Sequence, residues 1–135
     1  MKFKRIIIAS VVLALIGTSI SVYMYNKPRK NLSKVRAHYS LAVGNLVKEF
    51  VANEEAANVK YLGKVLEVRG VVIQQESEGS TVLVFEGWDI SGLRAELESV
   101  PNQVANKVGQ QVTVKGKCTG MLLDVILVEC VIINE

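Results

Sequence analysis

The most regular pattern in the chain is an uncharged run of twenty residues at positions 6–25. A helix of that length rises roughly 30 Å, which is enough to cross the hydrocarbon of a bilayer. Lysines and arginines lie on both sides of the run, and Tyr23 and Tyr25 stand where an interfacial aromatic belt is expected. The pattern predicts that residues 1–30 form an N-terminal membrane anchor with basic flanks.

A cleaved signal peptide is the competing interpretation, because Ser19, Ile20 and Ser21 offer small residues at a weak cleavage spacing. The apolar run continues past these serines to the tyrosines, which favours a retained anchor. If the short N-terminal tail stays in the cytoplasm, the C-terminal domain lies on the far side of the membrane. Secretion after cleavage is the alternative.

Residues 31–58 carry a different periodicity, with apolar residues at three- and four-residue steps after a candidate N-cap, Ser33. The stripe consists of Val35, Tyr39, Ala42, Val43, Leu46, Val47, Phe50 and Val51. This spacing predicts one amphipathic helix. Its apolar face would most simply pack on its own domain, with a coiled-coil seam and a membrane surface as alternatives.

From residue 59 to residue 135 the chain is rich in valine, isoleucine and leucine, with glycines between the apolar runs. We predict five strands, at about 64–75, 81–86, 93–98, 111–119 and 125–133. Gly70 and Gly116 interrupt two of the long strands, as bends in a barrel require. The predicted fold is therefore mainly β: a five-stranded OB-type Greek-key barrel, preceded by an N-terminal transmembrane helix and an amphipathic helix.

Charge is unevenly distributed along the chain. Residues 1–60 hold ten Lys and Arg against three Asp and Glu, a net charge of +7, whereas residues 61–135 hold six against ten, a net charge of −4. The basic part surrounds the apolar run, where it suits anionic lipid headgroups. The acidic part is the predicted barrel, which disfavours nucleic acid as its ligand.

Cys118 and Cys130 are the only cysteines in the sequence, and they fall on the two strands of one predicted hairpin. In an oxidising compartment they could form a cross-strand disulfide, and the alternative is a pair of buried free thiols. Without a nearby histidine they do not make a zinc site. The single histidine, His38, has no evident catalytic partner in the sequence. We expect no enzyme, no metal site and no cofactor.

An OB barrel that binds nucleic acid uses aromatic side chains in a basic groove. The predicted domain offers Tyr61, Phe85 and Trp88, of which Phe85 lies inside a predicted strand and is most simply a core residue. Trp88, in a predicted loop, is the best candidate for a ligand contact. Arg94 points outward from the third predicted strand, beside two glutamates. The candidate ligand-binding residues are thus Trp88, Phe85 and Arg94.

Three segments carry a family resemblance: residues 61–72 (YLGKVLEVRGVV), 108–120 (VGQQVTVKGKCTG) and 124–130 (DVILVEC). Together they resemble the tRNA-anticodon-like OB-fold family, over about residues 50–133. Members are small bacterial proteins, commonly exported or membrane-attached. The resemblance implies an OB barrel in a bacterial protein, and it carries over no set of binding residues. With the topology expected above, the protein crosses the bacterial inner membrane once and its C-terminal domain is periplasmic.

These features together predict a non-catalytic binding or scaffolding module tethered to the membrane through residues 6–25. Its partner would be a protein or an envelope polymer. The alternative is an OB domain that binds single-stranded nucleic acid or oligonucleotides, which the fold analogy favours and the acidic barrel disfavours.

Overall fold

The computed structural model describes residues 1–27, 32–98 and 105–134, within two compact units, Met1–Lys30 and Asn31–Glu135. The predicted boundaries after residue 30, between anchor and amphipathic helix, and after residue 58, between that helix and the OB domain, stay a prediction.

The first unit contains helix α1 (Lys2–Tyr25), none of whose residues is buried. It is long and apolar enough to cross a membrane, a test that an N-terminal signal sequence also passes. The hydroxyls of Ser10, Thr18 and Ser21 each donate to the carbonyl four residues earlier at 3.0 Å. Because these polar groups are satisfied within the helix, they add little to the cost of placing it in lipid.

The second unit is built around a closed five-stranded barrel, as predicted. Its strands are β2 (Val65–Glu76), β3 (Val82–Trp88), β4 (Ser91–Leu97), β5 (Gln111–Met121) and β6 (Val125–Asn134). The first part of β2 pairs with β5 and its last part with β3, which closes the barrel. Strand β4 runs parallel to β6, and β5 and β6 form an antiparallel hairpin. Each strand begins and ends within two residues of its predicted limits.

Gly70 lies in β2 just before the point where the strand passes from β5 to β3. A Cβ at this position would lie 2.8 Å from the Val43 side chain and 3.2 Å from the Phe85 ring. A larger residue at the bend would therefore push α2 away from the barrel.

The prediction of a single helix over residues 31–58 is wrong. In its place are a 3-10 turn (Leu32–Lys34), strand β1 (Tyr39–Ala42) and helices α2 (Val43–Ala52) and α3 (Glu54–Tyr61). Ser33 lies inside the 3-10 turn and does not begin an α-helix.

Tertiary pairing explains the strand where a helix was expected. The first part of β2 would present an unpaired edge on the side away from β5, and β1 covers that edge in parallel with residues 66–69. Backbone pairing with an otherwise open edge outweighs a local helical pattern. Asn53 separates the two helices: its extended backbone ends α2, and its side chain accepts a hydrogen bond from the Ala56 N–H at 3.1 Å.

The hydrophobic core fills the barrel and continues under the helices. Helix α2 packs against β2, β3 and β4, and α3 packs against α2 and β5. The buried face of α2 consists of Val43, Leu46, Val47 and Phe50, which are members of the predicted apolar stripe. The stripe was thus identified correctly in this segment, although the helix is shorter than predicted.

Candidate binding surface

Phe85 lies in the core, with no exposed surface. Its side chain points inward from β3 with those of its neighbours in the buried cluster. This placement corrects the prediction that Phe85 contacts a ligand, because a ring inside the closed barrel has no face to offer.

Trp88 lies at the end of β3 with 48% of its surface exposed. The ammonium nitrogen of Lys48, on α2, stands 4.7 Å from the centre of the Trp88 ring, a cation–π distance. Trp88 pairs with Ser91 across a two-residue turn. The indole is therefore exposed beside a lysine, and a ligand-binding role for Trp88 stays a prediction.

Arg94 lies on the outside of β4 and is engaged by an acidic neighbour. Its guanidinium donates to a carboxylate oxygen of Glu76 at 2.8 Å, with both side chains about two-fifths exposed. Arg94 is opposite Val84 in the ladder, four positions from Trp88 along β3, or roughly 13 Å. The structure therefore does not bring Arg94 and Trp88 to one site, and it gives Trp88 the partner Lys48 instead.

The two cysteines are free and buried in the structure. The hairpin register sets Cys118 opposite Leu127, three positions away from Cys130. Burial raises the pKa of both thiols, with the carboxylates of Glu96 and Glu129 adding to the rise at Cys130. Neutral thiols in this environment are poor nucleophiles. A bond between them stays a prediction.

A groove of about 540 Å³ lies between β1, α2 and α3. It is lined by Tyr39, Ser40, Leu41, Asn45, Lys48, Glu49, Ala52, Lys60 and Tyr61. The lining combines aromatic rings, two lysines and one carboxylate. Sequence reasoning did not identify this groove, because β1 and the two helices that form it were predicted as one helix.

Glu49 organises the end of the groove at α3. One of its carboxylate oxygens accepts hydrogen bonds from the Lys60 ammonium at 3.1 Å and from the Tyr61 hydroxyl at 2.9 Å. Tyr61 packs edge-on against Tyr39, with ring centres 5.1 Å apart, and stacks on Phe50. The Lys60 ammonium lies 4.8 Å from the Tyr61 ring centre and 5.6 Å from that of Tyr39. These contacts hold Tyr39 and Lys60 at the groove wall.

The contacts in this cluster raise the pKa values of both Lys60 and Tyr61. Hydrogen bonds to the Tyr61 hydroxyl and to the Glu49 carboxylate raise the pKa of Lys60 to about 12. Burial, with a smaller effect of Glu49, raises the pKa of Tyr61. At neutral pH the groove therefore presents a charged lysine and an un-ionised tyrosine.

The outer edge of β1 runs beside the groove. Within the described residues, β1 pairs only with β2. The His38 N–H donates to the Val65 carbonyl at 2.8 Å, just before the first paired residues of the two strands, Tyr39 and Leu66. A second cleft, of about 420 Å³, lies on the other side of β1 against β2 and β5. An edge strand flanked by two clefts is suited to receive an extended chain.

One signal in the sequence could have shown the helix break that shapes this groove. Asn53 followed by Glu54 and Glu55 is typical of a helix N-terminus, since an N-cap and early acidic residues begin a helix. No comparable signal marks Tyr39 as a strand residue.

Comparison with known proteins bears on the fold and the family. A solved structure from Klebsiella pneumoniae subsp. pneumoniae MGH 78578, described as a "putative nucleic acid-binding lipoprotein", superposes with a TM-score of 0.56 at 18% sequence identity. The match covers 70% of this chain and 91% of that chain, and at this identity it shows a shared fold alone. No curated protein matches the chain. The family model tRNA_anti-like matches residues 1–132, and the chain therefore belongs to the tRNA_anti-like family.

Proposed function

We propose that this protein is a non-catalytic binding module, tethered to a membrane by α1, that holds an extended segment of a partner protein along β1. The observation that carries the proposal is the outward-facing edge of β1 with a cleft on either side. A peptide that adds a strand to such an edge gains main-chain hydrogen bonds, and its alternate side chains enter the flanking clefts.

The tether is supported by sequence and composition. Helix α1 is long and apolar enough to span a bilayer, and basic residues flank it on both sides. A module held at a membrane surface meets membrane partners at a high effective concentration, so modest intrinsic affinity is sufficient.

The groove favours a segment with an acidic side chain. Lys48 and Lys60 supply positive charge on one wall, and Tyr39 supplies an aromatic ring that is 38% exposed. The Lys60 ammonium already contacts Glu49 in an ion pair that is exposed to solvent, and such a pair rearranges readily on binding. A peptide carboxylate can therefore share the lysine at small cost.

The single histidine has a structural position. His38 accepts a hydrogen bond from the Val65 N–H through Nδ1 at 3.2 Å, which helps to begin the pairing of β1 with β2. The two thiols are buried with raised pKa values. These placements support a binding role without catalysis.

The test is site-specific photocrosslinking in the full-length chain, expressed in bacterial membranes. A photoreactive residue at Ser40, which is exposed on β1, is expected to give a discrete protein adduct, identified by mass spectrometry. The same residue at Ser77, which is exposed between β2 and β3, is the matched control and is expected to give none.

Tyr39→Ala, introduced into the variant that carries the photoreactive residue at position 40, is expected to reduce the yield of the adduct several-fold. The midpoint of thermal unfolding is expected to change by no more than a few degrees. Equal adducts from the two probe positions, or no adduct at Ser40, would contradict binding at β1. If the probe at position 40 is crosslinked to an envelope glycan, the binding site at β1 is supported and the partner is a polymer and not a protein.

A nucleic-acid partner is the second candidate, favoured by the exposed Trp88 with its Lys48 neighbour and by the fold shared with the Klebsiella lipoprotein. Against it stand the net charge of −4 over residues 61–135 and the engagement of Arg94 by Glu76. Titration of labelled single-stranded DNA and RNA at low and physiological salt separates the two candidates. Salt-sensitive binding that is lost in Trp88→Ala would favour nucleic acid.

A further inference from the structure

Both lysines that line the groove at β1 are held against aromatic rings. The Lys48 ammonium lies 4.7 Å from the centre of the Trp88 ring, and the Lys60 ammonium lies 4.8 Å from that of Tyr61. A ring face attracts an ammonium group electrostatically without a fixed hydrogen bond, and an ammonium group has three N–H donors. The two cations are therefore positioned before a ligand arrives.

These lysines keep donors available for an anion. Within the part of the chain that the structure describes, Lys48 makes no hydrogen bond or ion pair, and Lys60 donates one hydrogen bond, to Glu49. The lining of the groove holds two lysines and one carboxylate, a net charge of +1. An incoming carboxylate can thus accept hydrogen bonds from both ammonium groups while the contacts to the rings and to Glu49 persist.

The two sides of β1 face different clefts. Tyr39 packs on the Tyr61 ring, on the side of the helices, whereas Ser40 is in register with Glu67 of β2 and lies on the side of the second cleft. Side chains at positions i and i+2 of a strand lie on one face, roughly 7 Å apart. A strand added to β1 would therefore send every second side chain into the groove and the intervening ones into the second cleft.

The second cleft carries no net charge. Its charged residues are Glu67 and Arg69, and the Arg69 guanidinium donates to the Gln111 side-chain oxygen at 3.1 Å. One carboxylate and one guanidinium together favour neither sign of charge, whereas the groove favours an anion. The preference for acidic side chains is thus confined to one side of the added strand.

We propose that the segment held along β1 carries acidic side chains at positions i and i+2, one bound by Lys60 and the other by Lys48. This specificity rests on the proposed function, because it requires that the segment add to β1. The Lys60 ammonium lies 5.6 Å from the centre of the Tyr39 ring, which places one carboxylate at the first residue of β1. Lys48, on the neighbouring helix α2, receives the second.

Two labelled peptides of the same composition test the spacing. The peptide TVETEVT has its glutamates at i and i+2, and the isomer TVEETVT has them adjacent. Fluorescence anisotropy with the full-length protein in detergent micelles is expected to show that TVETEVT binds about two- to five-fold more tightly, because the isomer places only one carboxylate in the groove. The difference is expected to shrink at high salt, and the peptide TVKTKVT, the control for the sign of charge, is expected not to bind.

Single substitutions test the two lysines. Lys48→Gln and Lys60→Gln are each expected to remove the difference between the isomers, because one cation then remains in the groove. Lys117→Gln is the matched control: Lys117 is exposed on β5 and lines neither cleft, so the difference is expected to persist. The midpoint of thermal unfolding checks that each variant is folded.

Equal binding of the two isomers by the unsubstituted protein would overturn the proposed spacing, as would a difference that survives Lys48→Gln or the absence of binding by either isomer. The photocrosslink at position 40 separates this failure from that of the proposed function. If the crosslink forms while the isomers bind equally, the site at β1 stands and the spacing is wrong. If neither the crosslink nor the difference is found, both proposals are overturned.

Discussion

At the scale of single residues, Gly116 in β5 lies under a side chain of β6. A Cβ at this position would collide with the Cys130 sulfur and lie 3.2 Å from the Val128 carbonyl. From the sequence, Gly116 was predicted to allow a bend in the strand. The structure adds that the Cys130 side chain of β6 occupies the space that a side chain at position 116 would need.

We expect Gly116→Ala to lower the free energy of unfolding by about 1–3 kcal/mol, because the buried sulfur must move. The double variant Gly116→Ala/Cys130→Ala is expected to cost less than the sum of the single variants. Urea denaturation measures all three. Gly44→Ala is the control: its Cβ would meet only a carbonyl at 3.8 Å, and alanine favours a helix, so its effect is expected to be neutral or stabilising. Equal losses at both glycines would contradict the close contact at Gly116.

The thiols give a second prediction at this scale. Because Cys118 and Cys130 are buried and their pKa values are raised, a thiol reagent is expected to label both slowly in the folded protein and rapidly in urea. The count of free thiols in protein purified from an oxidising compartment, without reductant, also tests the predicted disulfide. Two thiols per chain would contradict the bond, and none would establish it.

At the scale of elements, α2 shows how a local pattern and a tertiary contact combine. Its apolar stripe was visible in the sequence, and the barrel supplies the surface on which the stripe is buried. Neighbouring positions on the helix therefore differ sharply: Phe50 is 1% exposed and Val51 is 46% exposed.

We expect Phe50→Ala to lower the free energy of unfolding by about 3–5 kcal/mol, through lost apolar burial and the cavity left behind. Val51→Ala, on the exposed side of the same turn, is expected to change it by about 0.5 kcal/mol or less. Chemical denaturation of both variants checks the difference. Similar losses would show that α2 does not pack in this orientation.

At the scale of the whole molecule, the raised pKa values of three buried groups make the folded state less stable at alkaline pH. The pKa values of Cys118, Cys130 and Tyr61 are all raised by burial, so the folded state holds their protons more tightly than the unfolded state, whose ordinary values are 9.0 for the thiols and 10.0 for tyrosine. The stabilisation is fully present below these ordinary values and is lost as the pH rises through the folded ones.

We therefore expect the free energy of unfolding, measured in reducing buffer, to be steady near neutrality and to fall above about pH 9. Cys130→Ala removes one of the titrating groups and is expected to make the fall shallower, although it lowers stability at neutral pH. The same slope in both proteins would contradict the contribution of Cys130. Urea titrations at a series of pH values provide the measurement.

The sequence by itself determined the elements whose signal is local. Twenty uncharged residues define a helix long enough for a membrane, and alternating apolar residues bounded by glycines define five strands, because periodicity is a property of the chain before it folds. The barrel and its family followed from these strands and their motifs.

Tertiary structure decided what depends on contacts between distant residues. Tyr39 fits a helical stripe as well as a strand, and the open edge of β2 made it a strand. Phe85 and Trp88 are aromatic residues three positions apart, and only the closed barrel shows that one is buried while the other meets Lys48. The groove at β1 is assembled from two helices and a strand that the sequence presents as one periodic segment. Local periodicity records which face of an element is apolar, whereas the partner of that face is set by the fold.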